Sequence, residues 1–157
     1  MTEKLETATV GLVSDTHGRM HPKVLQQLES AGCQAILHAG DICCHETIAA
    51  LSNLAPVTAV GGNMDRNPQL PATEMLDIAN LTFYILHDLG RLDLDPKAAG
   101  IDIVVFGHTH RPESFIRQGV LYINPGSAGP RRGRLPVSMA LLEINQRQAL
   151  PRFIDLD

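Results

Sequence analysis

Apolar positions follow two different rhythms along this chain, and the change of rhythm divides it in half. "TATVGLVS" (7–14) is short, β-branched and apolar, and it stops at a polar cluster, which predicts a buried strand. Over 22–32, Val24, Leu25, Leu28 and Ala31 share one face at helical spacing, with Pro22 at the start and Gly32 at the stop. A second buried strand (34–40), a second helix (46–54) and a third strand (56–60) follow. This β-α-β-α-β alternation predicts a parallel sheet with helices packed on it. In the second half strands predominate. Residues 74–87 read as two strands around an Asn80 turn, 101–106 as a buried strand, and 113–124 as a hairpin turning near Gly119. Further strands are expected at 137–145 and 151–156. A short helix between His87 and Ile101 is weakened by Gly90 and Pro96. No linker, low-complexity tract or repeat interrupts the chain. The expectation is one α/β domain over 1–157, with two packed mixed β-sheets flanked by α-helices.

Composition narrows the function classes. A chain of 157 residues, 44 % hydrophobic and 19 % charged, has the profile of a soluble globular domain with room for a core. Its 13 basic and 17 acidic side chains give a net charge of −4, so no strong pull toward nucleic acid or membrane is built in. Aromatic content of 4 % without Trp argues against a stacking platform for single strands. No apolar run reaches the roughly 20 residues of a membrane span. "MTEKLETATVGLVSD" lacks the basic-then-apolar build of a signal peptide. Cys33, Cys43 and Cys44 make a poor disulfide framework, so free thiols in a cytoplasmic protein are expected.

The polar residues fall where the predicted strands end. The first strand ends in "SDTHG", with Asp15 and His17; the second in "AGD", with Asp41; the third in "GGNMD", with Asn63 and Asp65. Later strands end in His87 and in "GHTH", with His108 and His110. Residues just beyond the carboxyl ends of parallel strands gather along one edge, where ligands bind. In extended chain, i and i+2 project to one side, so Asp15 with His17, and His108 with His110, would each address one point. Alone, a D-x-H or a G-N is usually a turn. Together these imidazoles, carboxylates and an amide suit a borderline or hard divalent ion, whereas a thiolate site would use cysteines. They exceed what a single four-coordinate zinc needs, which points to two metals sharing a carboxylate.

The series "DTH" (15–17), "GD" (40–41), "GN" (62–63), His87 and "GHTH" (107–110) resembles the signature of the calcineurin-like metallophosphoesterase superfamily. "GNMD" and "NPGS" (124–127) are similar to its small single-domain bacterial and archaeal phosphodiesterases. The resemblance implies one metal bound by Asp15, His17, Asp41 and His110, and another by Asp41, Asn63, His87 and His108. With that resemblance, Mn²⁺ is the first expectation, with Fe, Zn or Ni as alternatives. It implies hydrolysis of a small phosphate ester, foremost a phosphodiester, by a metal-bridging hydroxide without a covalent intermediate. A homo-oligomer fits the same resemblance. Two alternatives remain: a phosphomonoesterase, and a non-catalytic protein-binding scaffold like a retromer subunit of the same fold.

Two departures matter. Many superfamily members have His after G-N to protonate the leaving group; here Met64 stands there, with no proton to give. The D-R-G of protein phosphatases is also absent, since "ICCHE" follows Asp41. Asp65 reads equally as support for a ligand or as a turn cap, and Asp88 as a loop residue or a partner for an imidazole. Arg66, Arg111, Arg131 and Arg132 are candidates for holding phosphate, each against the plainer reading of a solvated loop arginine. "NPGSAGPRRG" would bring Ser127 or backbone amides near the site. His38 is expected to be a satisfied core histidine, and His21 and His45 to lie on the surface.

Overall fold

The computed structural model describes residues 6–157. The reading that no targeting segment precedes the first strand concerns residues 1–5 and lies outside the described residues. The elements of the first half are β1 (Thr7–Val13), α1 (Lys23–Ala31), β2 (Ala35–His38), α2 (His45–Ser52) and β3 (Val57–Ala59). The second half adds β4 (Thr73–Ile78), β5 (Leu81–Leu86), β6 (Ile103–Val105), β7 (Glu113–Arg117), β8 (Val120–Asn124), β9 (Ser138–Asn145) and β10 (Gln148–Asp155). No helix among the described residues is long and apolar enough to cross a membrane.

Two five-stranded mixed sheets result, in the orders β10-β9-β1-β2-β3 and β4-β5-β6-β8-β7. In the first, β1, β2 and β3 run parallel; in the second, β5, β6 and β8 do. Each sheet therefore has a set of parallel strands whose carboxyl ends open onto a common edge. The antiparallel members are outer hairpins. Their turns explain the main shift from the predicted boundaries: the last strand starts at Gln148 rather than 151. Gln146 and Arg147 both take positive φ (48° and 65°), the twist a two-residue hairpin needs, although neither is a typical turn residue. Pro151 is tolerated in β10 because that strand is an edge. The weakened helix after His87 is reduced to one 3₁₀ turn, Leu89–Arg91.

Three apolar clusters hold these layers. Val10, Leu12, Leu37, Phe83, Ile85, Val105 and Ile123 form the seam between the sheets. Both helices lie on the outer face of the first sheet, where Val24, Leu28 and Leu51 pack against Val13, Ile36, Met139 and Leu141. The outer face of the second sheet is covered instead by Leu89, Leu92 and Leu94 of the irregular segment after β5. Burial on both faces is why the parallel strands read as continuous apolar runs.

Phe83 is fully buried in the inter-sheet seam, whereas Ile116 on edge strand β7 is 74 % exposed. Phe83→Ala is expected to cost about 3–5 kcal/mol through lost transfer energy and a residual cavity. Ile116→Ala should stay within about 0.5 kcal/mol. Urea denaturation of the two variants checks both values.

Candidate metal centre

The predicted polar residues converge on the edge where the parallel strands of both sheets end. Asp15 follows β1 and is fully buried, Asp41 follows β2 and is 3 % exposed, His87 follows β5, and His110 follows β6. His17 Nε2 lies 3.7 Å from Asp15 Oδ1 and 3.7 Å from Asp41 Oδ2. His110 Nε2 is 3.3 Å from Asp15 Oδ1, and His87 Nε2 is 3.3 Å from Asp41 Oδ2 and 3.8 Å from Asp15 Oδ1. The ring nitrogens of His17 and His110 approach to 3.3 Å.

Each carboxylate divides its work between its two oxygens. Asp15 Oδ2 accepts from Ser14 Oγ (2.6 Å) and from the His108 amide (3.1 Å), so Oδ1 is left without a partner. Asp41 Oδ1 accepts from the Met64 amide at 2.8 Å, and Oδ2 faces the imidazoles. His87 Nδ1 lies 2.8 Å from the carbonyl of Ala39, so that nitrogen carries the proton. Its Nε2 is then a lone pair, buried and unpartnered. A lone pair facing carboxylate oxygens at this range is repulsive unless a cation stands between them. Donor atoms around one ion at about 2.1 Å would lie about 3.4 Å apart in a tetrahedral arrangement, close to the separations seen. The donor set therefore fits divalent metal. Two overlapping groups have this geometry: Asp15 with His17 and His110, and Asp15 with Asp41 and His87.

The chain reaches this arrangement by a route other than extended strand. Asp15, His17, Asp41, His108 and His110 all have positive φ, between 48° and 74°. For residues other than glycine that conformation costs on the order of 1 kcal/mol or more, and it persists only where neighbours hold it. Asp15 and His17 do meet at one point, but because both turn back. His108 and His110, each with positive φ, take different ring partners. The His110 ring packs on His17 and the His108 ring on His87, each pair with centroids 5.2 Å apart. Glycine keeps the approach open: a Cβ on Gly62 would fall on Asp41 Oδ1, and one on Gly107 on Ser14 Oγ.

The remaining predicted residues separate by their partners. Asn63 and His108 are exposed; the His108 ring packs on His87, and Asn63 follows Gly62, whose backbone lies against Asp41. Asp65 accepts the amides of Ile42 (3.0 Å), Cys43 (2.8 Å) and Gly62 (2.8 Å), so it clasps the loops after β2 and β3 together. It thus caps its own turn and supports Asp41 at once. Asp88 spends its carboxylate on the Gly90 amide and Arg91 and not on an imidazole. Arg66 and Arg111 are exposed, and neither joins an ion pair among the described residues. Arg131 pairs with Asp157. Ser127 Oγ donates to the carbonyl of Asp15. His45 is on the surface, and His21 Nδ1 accepts the Lys23 amide at the start of α1. Sequence reasoning missed Ser14, Thr16 and Asn124. The last ties "GHTH" to β8 through Gly107 O and Thr109 Oγ1. Thr16 and Asn124 lie inside "DTH" and "NPGS" and Ser14 beside the first, but the motifs give none of them a role of its own. A cavity of about 650 Å³ lies near Gln34 and the Ala79–Asn80 turn; Gln34 is bonded to the Thr9 amide and Arg147 to Asp102 and Asn80 O.

Charge follows burial and pairing. Burial opposes the charged form of Asp15, but the nearby His110 ring, the Ser14 hydroxyl bond and the charge of His87 outweigh it and hold its pKa below the usual carboxylate value. Asp41 is lowered in the same way, with His87 and the Met64 amide opposing burial. For His87, burial favours the neutral ring, yet the adjacent Asp41 carboxylate and the charge of Asp15 prevail and raise its pKa. His38 is fully buried, and desolvation pushes it down to about 4.

A two-sheet sandwich with buried carboxylates and imidazoles at the strand ends defines an α/β protein of metal-site type. The chain belongs to the calcineurin-like phosphoesterase superfamily, whose domain pattern matches residues 9–147. It is 35 % identical over 133 residues to a probable metallophosphoesterase of Methanocaldococcus jannaschii, covering 77 % of this chain and 68 % of that protein. Among solved structures, wild-type Vps29 of Entamoeba histolytica in complex with zinc is similar at a TM-score of 0.76 and 27 % identity, covering 95 % of this chain and 99 % of that one. An archaeal phosphodiesterase shares the fold at a TM-score of 0.76 and 24 % identity, over 93 % of this chain and 99 % of that one.

His38 provides a pH test of the metal-free protein. Its folded pKa lies below the unfolded value of 6.5, so the unfolded chain binds the proton first as pH falls. The His38 contribution is complete above about pH 6.5 and is lost down to about pH 4, a change on the order of 3 kcal/mol. Urea titrations of chelated protein at pH 7 and pH 4 should show this loss in wild type and a smaller one in His38→Gln. The carboxylates lose theirs only at lower pH, and His87, being raised, loses its own as pH rises through its folded pKa.

Proposed function

We propose that this protein hydrolyses phosphate esters, foremost phosphodiesters, at a centre of two divalent ions held by Asp15, His17, Asp41, Asn63, His87, His108 and His110. The observation that carries the reading is Asp15 Oδ1, a buried and unpartnered carboxylate oxygen within 3.3–3.8 Å of the Nε2 atoms of His110, His17 and His87. When bound, two divalent ions supply Lewis acidity that polarises phosphoryl oxygens and acidifies the attacking water. The chain's own residues do the rest. Asp15 and Asp41 bring the negative charge and the imidazoles add neutral donors. Asn63 and His108 stand on the exposed side, where an ester enters. Arg66 and Arg111 have guanidinium groups free to meet a phosphoryl oxygen. Mn²⁺ is favoured for this mixed nitrogen and oxygen set. Three free thiols support a cytoplasmic setting.

Diesters are placed first on the likeness to the archaeal phosphodiesterase, and the position after Asn63 offers no proton to a leaving group. Met64 is 56 % exposed beside Asp41 and carries a thioether. Substrates with good leaving groups, or ones in which water supplies the proton, suit such a site. The likeness to Vps29 fits a second reading, a protein-binding scaffold. A scaffold has no need of buried carboxylates facing unpaired imidazole nitrogens, a costly arrangement without metal.

Chelated protein should not hydrolyse an activated aryl phosphodiester, and Mn²⁺ should restore turnover. Asp41→Ala and His108→Ala should each lower the restored rate about 100-fold or more. No metal-dependent turnover in wild type, or full turnover in both variants, overturns the enzyme reading and leaves the scaffold. A parallel assay on the aryl phosphomonoester distinguishes diesterase from monoesterase.

Met64→His should raise the rate on alkyl esters with poor leaving groups by about tenfold or more, while activated aryl esters change little. Equal effects across leaving groups of widely different pKa would remove the missing-proton argument.

A further inference from the structure

His38 takes no part in either group able to hold metal, yet it is fully buried between the loops that carry them. Its Nδ1 accepts the Gly40 amide at 3.1 Å. An amide can only donate, so the ring proton sits on Nε2, 3.0 Å from Thr16 Oγ1. The Thr16 hydroxyl is then free to donate to the carbonyl of Ile42 at 3.4 Å. Only one arrangement of protons satisfies this relay: Gly40 N–H to His38, His38 Nε2–H to Thr16, and Thr16 O–H to Ile42 O.

Every partner of His38 in this relay adjoins a predicted metal-holding residue. Thr16, itself fully buried, stands between Asp15 (φ 54°) and His17 (φ 48°). Gly40 and Ile42 flank Asp41 (φ 56°). Backbone bonds from Asp15 N to Gly40 O (3.0 Å) and His17 N to Asp41 O (2.9 Å) already join the two loops. The relay adds three side-chain bonds, of which two, His38 to Thr16 and Thr16 to Ile42 O, cross between these segments. Imidazole suits the place because it accepts at one ring nitrogen and donates at the other on a rigid frame. Burial keeps it neutral, with its pKa down to about 4, so its influence is directional and not that of a charge.

We propose that His38 is a positioning residue: acting through Thr16, it holds the loops of Asp15, His17 and Asp41 in the left-handed geometry that aims them at the metals. This rests on the metal-centre reading above. Loss of a group that orients metal ligands typically weakens binding 10- to 100-fold.

Calorimetric titration of chelated protein with Mn²⁺ tests it. Thr16→Val and His38→Phe should each weaken Mn²⁺ binding about tenfold or more, and the double variant should be no weaker than the worse single one. Thr16→Ser, which keeps the hydroxyl, should restore affinity to within about twofold of wild type. Should Thr16→Val or His38→Phe fail to fold, nitrogen-15 spectra of wild-type imidazoles decide, with His38 expected as the neutral Nε2–H tautomer. Wild-type affinity in a folded Thr16→Val, or an Nδ1–H tautomer, overturns the inference alone. Wild type that binds no Mn²⁺ overturns both this inference and the metal-centre reading.

Discussion

A carboxylate buried without a partner is among the most expensive features a fold can contain, and Asp15 contains half of one. Its Oδ2 is satisfied locally by Ser14 and the His108 amide, which fixes the plane of the group and leaves Oδ1 directed at three imidazoles. Much of the surrounding architecture follows from that demand. The bond to His108 crosses from the first sheet to the second, so the carboxylate also registers the two sheets at their open edge. Gly107 must be glycine-like in its clearance, because a side chain there would strike Ser14 and Asp15. Ser127 from the loop after β8 closes the other side by bonding the Asp15 carbonyl.

The distribution of backbone strain tells the same story from the chain's side. Non-glycine residues with positive φ fall into two sets. Ala79–Asn80, Gln118 and Gln146–Arg147 lie in hairpin turns, where strand twist rewards that geometry. Asp15, His17, Asp41, Cys43, His108 and His110 lie at the converging edge, where no hairpin does so. What holds them is a mesh of bonds between loops: Asp65 to three amides, the backbone bonds between 15–18 and 40–42, and the His38–Thr16 relay. Stability is given up locally to keep donors aimed, the pattern of a preorganised site.

Much of this was legible in the residues, for definite reasons. Buried parallel strands announce themselves as apolar runs, and each ended at a polar cluster, so β1, β2, β5 and β6 and the residues beyond them could be placed without coordinates. What periodicity does not encode is the path of the chain after a strand stops. The i, i+2 argument assumed extended backbone at Asp15–His17 and His108–His110, and left-handed turns replaced it at both. Asp15 and His17 still come together there, and His108 and His110 take different ring partners. The roles of Ser14, Thr16 and Asn124 were invisible because a small hydroxyl or amide acquires one only from what folds against it. Gln146–Arg147 was missed because tertiary pairing, through Arg147 to Asp102 and Asn80, stabilises a turn that its residue types do not favour.

Met64 shows how such a site can vary in chemistry without coming apart. Its structural contribution is made by the backbone: the amide bonds Asp41 Oδ1, and the carbonyl lies against Cys43 Sγ. Any residue but proline can supply that amide. The side chain meanwhile is more than half exposed and forms no part of the apolar clusters. Asp65, one position on, holds the loop whatever stands at 64. The position is therefore decoupled from folding while its amide bonds Asp41, a carboxylate of the candidate metal centre. A histidine there would add a proton donor, and a methionine adds an apolar contact and none. The "GNMD" turn thus separates backbone from side chain. Its backbone and Asp65 keep Asp41 in place, and the exposed Met64 side chain is left without a structural duty.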